Sequence, residues 1–501
     1  MKTFSVKLVP LGKEIPVLEG TPLLDVLNEY GVEFPCGGKG SCGRCRVKLL
    51  EGEIPADKFH LDKLAKLKLD ASWRLACLSH CHSDLSLEIG QFETVIQADE
   101  SSFDFIPGKG LGLAFDLGTT TLVGQLIDLS SGKILAVETA MNPQRKFGSD
   151  LISRIEAALG GSKDEMTRLI RERIAEMIEL LMRGHGEYLN RMVIVGNTVM
   201  HHFFCDFDIR PLSFYPFDSK QLGMAEFSSG DLGWESVNCE GVLFYPGIGS
   251  FVGSDILAGI LATGMHLKES YSLLIDLGTN GEIVLGNRDG LLCSSTAAGP
   301  AFEGANISQG MQARSGAISS ISKDHEEWRC SVIGNTKSKG ICGSGLIDAI
   351  HMIMEKGLIG EFGEILSGET YLALDENVSL TQKDIQEFQL AKAAIDTGVL
   401  ILLRKMGIED VDLEHVYIAG GFGNYINLDH LNTIGMLDLP VERMHKLGNS
   451  ALMGAKMFLF GDSCLVDTIL ECTQHISLEA ETDFQDLFVD QLIFKKKENL
   501  L

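Results

Sequence analysis

The sequence predicts a small α+β domain followed by a larger, two-lobed α/β domain. Three observations predict it. Cys36, Cys42 and Cys45 crowd a glycine-rich stretch near the start, and Cys77 follows at a distance. A strand ending in Asp-x-Gly-Thr, Ala114–Thr119, recurs 160 residues later as Leu274–Thr279. Two further phrases recur in the same order, and an ordered repeat marks a duplicated unit.

The small domain spans 1–94. Residues 3–9 and 13–18 alternate like strands. Thr21-Pro22 then starts a helix, with Thr as N-cap and Pro at the first helical position. Leu23, Leu24, Val26 and Leu27 supply its apolar face. The cysteine loop follows, then strands at 45–50 and around 85–89. Trp73 belongs to the core of this unit. Three thiols on one loop and a fourth from a distant segment suit a [2Fe–2S] cluster, whose plant-type spacing is C-x4-C-x2-C…C. Here the first gap is five residues. The glycines let the loop fold tightly and aim N–H groups at sulfur. A structural zinc site prefers two C-x2-4-C knuckles, and only Cys42/Cys45 forms one. The chain's twelve cysteines are scattered and no signal peptide precedes them, which argues against a disulfide framework and for a cytoplasmic protein. Cys81 competes with Cys77 for the fourth place, and the phrase Arg74-Leu75-Ala76-Cys77 favours Cys77. The order strand–strand–helix–Cys loop–strand resembles a β-grasp ferredoxin.

A polar connection containing Pro107-Gly108-Lys109-Gly110 reads as a linker over 95–110. From 111 strands alternate with helices. The second matched pair is Val193–Asn197 with Val416–Gly421, and the third is Gly253–Gly259 with Gly448–Ala455. The third pair reads as small-residue helices that cross closely at a hinge. The repeat predicts lobe one at 111–270 and lobe two at 271–478, with a cleft between them. Residues 479–501 are expected to pack on this domain.

A strand ending in Asp-x-Gly-Thr suits phosphate binding. Glycine admits the backbone N–H groups to a phosphate, and threonine hydroxyls add donors. The Asp holds Mg²⁺ through water or orients an attacking water. One copy alone also occurs as a plain turn. Two copies in equivalent places, with Ala-Gly-Gly-Phe-Gly at 419–423, are far more specific.

This pattern resembles the ASKHA superfamily of acetate and sugar kinases, heat-shock chaperone ATPases and actin, a duplicated RNase H-like fold. The resemblance implies that Asp116, Gly118, Thr119 and Thr120 form phosphate loop one. It implies that Asp276, Gly278, Thr279 and Asn280 form loop two, and that Gly420, Gly421 and Phe422 hold the adenosine. ATP and Mg²⁺ are the implied ligands.

A ferredoxin-like domain in front of such an ATPase resembles the reductive activators of corrinoid enzymes. Further phrases carry that resemblance: Asn142-Pro143-Gln144 with Gly148–Arg154, Gly196–His201, Ala298–Gly304 and Gly340–Asp348. Longer members carry an extra segment between the two domains; here roughly sixteen residues intervene. The resemblance implies ATP-dependent transfer of one electron from a [2Fe–2S] cluster at Cys36, Cys42, Cys45 and Cys77 to Co(II) of a corrinoid protein, regenerating Co(I) for methyl transfer. The catalytic candidates are Asp116, Asp276 and Glu303. The implied partners are a corrinoid protein of a methyltransferase system and a donor such as reduced ferredoxin or flavodoxin, and a homodimer is suggested. The residues alone leave open a redox-sensing small-molecule kinase or a redox-gated ATP-binding protein.

Composition fits such a protein. At 501 residues the chain has room for about three domains. Its charge of −26, without a basic run, argues against nucleic acid and anionic membranes as partners. No apolar stretch approaches the ~18 residues that span a membrane. His201, His202 and Asp348 read as core or capping residues rather than metal ligands.

Overall fold

The computed structural model describes residues 2–9, 13–27, 32, 45–67, 69–70, 72–89, 105–148, 150–186, 188–304, 306–311, 313, 316–324, 327–333, 336–420, 426–437, 439, 441–461 and 463–494. The first sheet contains β1 (Thr3–Val9), β2 (Lys13–Leu18), β3 (Arg46–Glu51), β4 (Trp73–Leu75) and β5 (Leu85–Ile89), in the order β2-β1-β5-β3-β4. Strand β1 is antiparallel to β2 and parallel to β5. The alternation in Thr3–Val9 puts Val6 and Leu8 into the core, where they meet Leu23, Leu27 and Leu87. The helix runs from Leu23 to Leu27, one residue later than the Thr21-Pro22 signal predicts. Pro22 is held instead in an isolated bridge to His80. Trp73 is half-buried and packs on the same core.

The second sheet contains β6 (Leu111–Leu117), β7 (Thr121–Asp128), β8 (Lys133–Met141), β9 (Arg191–Val195), β10 (Ala225–Phe227) and β11 (Val242–Phe244). Its order is β10-β11-β9-β6-β7-β8. The third contains β12 (Tyr271–Leu277), β13 (Gly281–Asn287) and β14 (Gly290–Thr296). An excursion follows, with β15 (Ala317–Asp324), β16 (Glu327–Val332) and β17 (Gly340–Ile341) in one small sheet and β18 (Tyr371–Ala373) and β19 (Ser379–Thr381) in another. The third sheet is completed by β20 (Leu413–Ala419), β21 (Met444–Gly448) and β22 (Thr473–His475), in the order β21-β20-β12-β13-β14-β22. In both large sheets three antiparallel strands are followed by two parallel ones, β9 and β11 in one, β20 and β21 in the other. The repeat seen in the sequence is thus a repeat of topology.

One hydrophobic core draws on both lobes. It combines Ala114, Val193, Ile256 and Leu257 with Leu274, Val284, Ala455 and Phe458. The helices Ser254–Thr263 and Ser450–Phe458 cross there. Gly454 makes the crossing possible: a Cβ on it would stand 2.1 Å from the Ala258 carbonyl oxygen. Such an approach excludes any side chain, and overpacking a core costs typically 1–3 kcal/mol.

Residues 90–104, most of the expected linker, lie outside the described residues. Residues 105–110 are already tied to both lobes: Gly108 N donates to Leu129 O of lobe one, and the Phe105 ring lies 4.5 Å from that of Phe460 of lobe two. At the other end the helix Phe484–Gln491 packs on the long helix Gln382–Met406. Lys392 of that helix is fully buried. Its Nζ lies 2.9 Å from Asp396 Oδ2 and 3.0 Å from the Gln491 carbonyl oxygen, and Gln389 Nε2 donates to Leu492 O at 2.9 Å. Among the described residues no helix is long and apolar enough to cross a membrane.

Candidate functional site

Two places gather the predicted residues. In the first domain, β3 and the turn after β4 bring Cys45 and Cys77 together. The Ala76 amide donates to the Cys45 carbonyl at 2.8 Å, and the two sulfurs lie 3.1 Å apart. Two thiols 32 residues apart in sequence are therefore close enough to serve one metal centre. Cys81 is turned away: it is buried, its thiol donates to Ser83 O, and burial pushes its pKa up. A protonated, buried thiol is a poor ligand. Cys36 and Cys42 lie outside the described residues.

The second place is the cleft between the lobes. Strands β6 and β12 each run apolar and buried until an Asp, then turn. Asp116 and Asp276 end these strands half-buried, and Gly118–Thr120 and Gly278–Asn280 form the turns. In the second turn Gly278 N donates to Asn280 O at 3.0 Å. The two loops meet: Thr120 Oγ1 and Thr279 Oγ1 are 3.3 Å apart.

Each loop is held by the start of a helix. Asn197 caps the helix Thr198–Cys205 by accepting from Met200 N, and its Nδ2 donates to Thr119 Oγ1 at 2.9 Å. Asn449 caps the helix Ser450–Phe458 by accepting from Leu452 N, and its Nδ2 donates to Asp116 Oδ2 at 2.7 Å. Ser450 Oγ lies 3.3 Å from Asp276 Oδ2. An asparagine can do both jobs because its oxygen accepts while its nitrogen donates.

The field of the cleft is negative. Asp116 is pushed up to about 6 by burial, against the opposing pull of the Asn449 bond. Asp255, second residue of the helix Ser254–Thr263, is pushed up to about 8 by burial and by Asp116 and Asp276. Glu282, buried on β13, is raised well above the ordinary glutamate value by burial and by Asp255 and Asp276. Three carboxyl groups that resist ionising, beside Asp276, leave room for a counter-charge in the cleft. Among the described residues no three His, Cys, Asp or Glu side chains converge tightly enough to ligate one ion by themselves.

Gly420 follows β20 at φ 106°, and a Cβ there would stand 2.3 Å from Leu277 O. It abuts the strand that leads into loop two. Gly421 and Phe422 lie outside the described residues. Glu303 closes the short turn Pro300–Glu303, and its side chain lies outside the described atoms. The histidines are core residues. His202 bonds Thr198 O and Ser219 Oγ through its two ring nitrogens, and burial lowers His201 to about 3. Asp348 ties two elements, accepting from Ile321 N and lying 2.7 Å from His430 Nδ1. Asn197, Asp255, Glu282, Asn449 and Ser450 were not among the predicted site residues. Asn197 stood inside a quoted phrase, and Asp255, Asn449 and Ser450 stood inside the third repeat, where polar residues at a helix start were the available signal.

Comparison with known proteins matches the order of the domains. The model of a 2Fe–2S iron–sulfur cluster binding domain matches residues 6–82. The model of the RACo middle region matches 111–268, and that of the C-terminal domain of RACo, the ASKHA domain, matches 270–501. The chain is 35% identical to the corrinoid activation enzyme RamQ of Eubacterium limosum, over 97% of this chain and 98% of that one. It is 28% identical to the [Co(II) methylated amine-specific corrinoid protein] reductase of Methanosarcina barkeri, over 76% and 77%. The solved structure of a reductive activator for corrinoid, iron–sulfur protein superposes with a TM-score of 0.70 at 28% identity, covering 98% of each chain. With a ferredoxin domain ahead of a duplicated ASKHA unit and matches along its whole length, the chain belongs to the RACo family of reductive activators of corrinoid enzymes.

Proposed function

We propose that this chain is an ATP-dependent reductive activator that passes single electrons to the Co(II) of a corrinoid protein, returning it to Co(I). The observation that carries the reading is the meeting of loop one and loop two at Thr120 and Thr279, in a chain that also holds a cluster domain. The corrinoid partner is proposed from what the relatives' names state of those proteins. Reduced ferredoxin or flavodoxin is the proposed donor.

Cys36, Cys42, Cys45 and Cys77 would hold the [2Fe–2S] group, which supplies a one-electron couple near ~ −400 mV in its plant-type form. Each ~59 mV of uphill transfer costs about 1.4 kcal/mol. ATP offers a source for that cost through the angle between the lobes. Gly118, Thr119, Thr120, Gly278, Thr279 and Asn280 would present N–H and hydroxyl donors to the phosphates. Asp116, Asp255 and Asp276 would hold the waters around Mg²⁺, and Gly420–Phe422 would hold the adenosine. Asn449 links lobe two to the Asp116 of lobe one, so a change at the phosphates reaches the helix crossing at Gly454 directly.

The test is to mix the protein with ATP, Mg²⁺, a strong reductant and a Co(II) corrinoid protein and watch for the Co(I) absorption band. Absence of the band with every native corrinoid partner sinks the proposal.

A further inference from the structure

Glu282 stands in register opposite Asp276 across β12 and β13. Directly opposite residues of an antiparallel pair project to one face, and like charges there are destabilising. In lobe one the residue in register with Asp116 is Val123. The fold therefore accepts an aliphatic side chain at this point. Val123 is half-buried, whereas Glu282 is only 7% exposed. The carboxyl group has taken the drier of two equivalent places, the reverse of ordinary preference.

The charges around Glu282 are carboxylates, Asp255 and Asp276. Its hydrogen-bond donors are the side chain of Asn280, last residue of loop two, and its own backbone N–H. Asn280 also closes that loop through its carbonyl, and its neighbour Thr279 touches lobe one. A group kept at such expense, whose side-chain donor is a phosphate-loop residue, has work to do at that loop.

We propose that Glu282 is a positioning residue of the nucleotide site, orienting the Asn280 carboxamide so that loop two is preorganised for the terminal phosphate of ATP. The inference rests on the nucleotide reading given above. A donor fixed in advance costs no reorganisation when charge develops on that phosphate. Glu282 acts through Asn280, so its loss slows turnover and leaves ADP, which lacks the terminal phosphate, bound as before.

The test measures steady ATP turnover and ADP affinity on the full, cluster-loaded chain for E282V, E282Q, N280A and N280A/E282V. E282V installs the residue that lobe one carries. It should lower turnover about tenfold or more while ADP affinity stays within about twofold. E282Q keeps an oxygen that accepts from Asn280 and should regain most of the activity. The double variant should turn over no more slowly than N280A, because residues acting in series do not add. The proposal is overturned if E282V stays within about twofold of the parent, if the losses multiply in the double variant, or if ADP affinity falls with turnover. Should E282V not fold, N280A decides: it must show the same split between turnover and ADP affinity. A parent protein that binds no ATP overturns the nucleotide reading and this inference with it. A parent that turns over ATP beside an unimpaired E282V overturns only the role of Glu282.

Discussion

In lobe one the strand end at Asp116 is met by an amide from the other lobe, Asn449; in lobe two the strand end at Asp276 is met by a hydroxyl of its own lobe, Ser450. Around that difference the two lobes are alike. Residues 111–120 and 271–280 bury the same positions in the same order. The register of the following hairpin then diverges: Leu117 pairs with Leu122, but Leu277 pairs with Gly281, one residue sooner after the Asp. The first helix opens with Ser254-Asp255 and keeps its Ser254 hydroxyl on Gly196 of its own lobe, while the second opens with Asn449-Ser450 and reaches across. Duplication has held the apolar positions that build the sheets. Divergence has fallen on the polar residues that face the cleft: both lobes supply acids, and lobe two adds the amide that bridges to lobe one.

The largest expected effect comes from breaking the acid of lobe two. Asp276→Ala should abolish ATP-dependent activation while leaving the visible spectrum of the cluster unchanged. Cys42→Ser should also lose activation, but with the visible spectrum of the cluster changed and nucleotide binding kept. If Asp276→Ala still activates a corrinoid partner, the second lobe has no special role.

Next in size is the helix crossing. Gly454→Ala places a methyl against the Ala258 backbone and should cost roughly 1–3 kcal/mol in urea unfolding. Gly259→Ala meets only the Leu274 Cδ2 and Ser450 Oγ side-chain atoms at 3.0 and 3.1 Å, and should cost less than Gly454→Ala. Equal losses would show that the two helices are interchangeable.

Asn449→Ala and Asn197→Ala each remove a cap worth about 1 kcal/mol. Only Asn449→Ala also removes the bridge to Asp116. Nucleotide affinity should therefore depend on Asn449 more than thermal stability does, and an equal dependence on both would break the comparison.

The smallest effect is one of pH. Asp255 and Asp116 sit above the ordinary Asp value, at about 8 and about 6. Between roughly pH 4 and 8 the folded cleft holds protons that the unfolded chain has released, so stability of the nucleotide-free protein falls as pH rises through that window. Asp255→Asn should flatten the slope and raise Tm at pH 8. A steeper slope in the variant would refute the assignment.

Much of this was legible in the sequence, for physical reasons. Strict alternation placed β1 and β2 at 3–9 and 13–18, as the structure has them. The repeated Asp-x-Gly-Thr located both loops because each is a local turn with its own residue demands. What stayed hidden was the company the loops keep. Asn449 meets Asp116 across 333 residues, and Ser450 meets Asp276 across 174. No local pattern encodes such a pairing. Glu282 was passed over because one acid in a strand carries no signal until the register sets it opposite another.

The buried ammonium of Lys392 has a consequence of a different kind. Its partners include the carbonyl of Gln491, 99 residues further along the chain, while the helix that carries it packs on β13 and β14 of the sheet of loop two. Removing the helix Phe484–Gln491 would take the Gln491 carbonyl from Lys392 and leave its ammonium to Asp396. Full stability of lobe two thus requires the docking of a segment 99 residues further along the chain, which ties the long helix to a distant stretch of sequence.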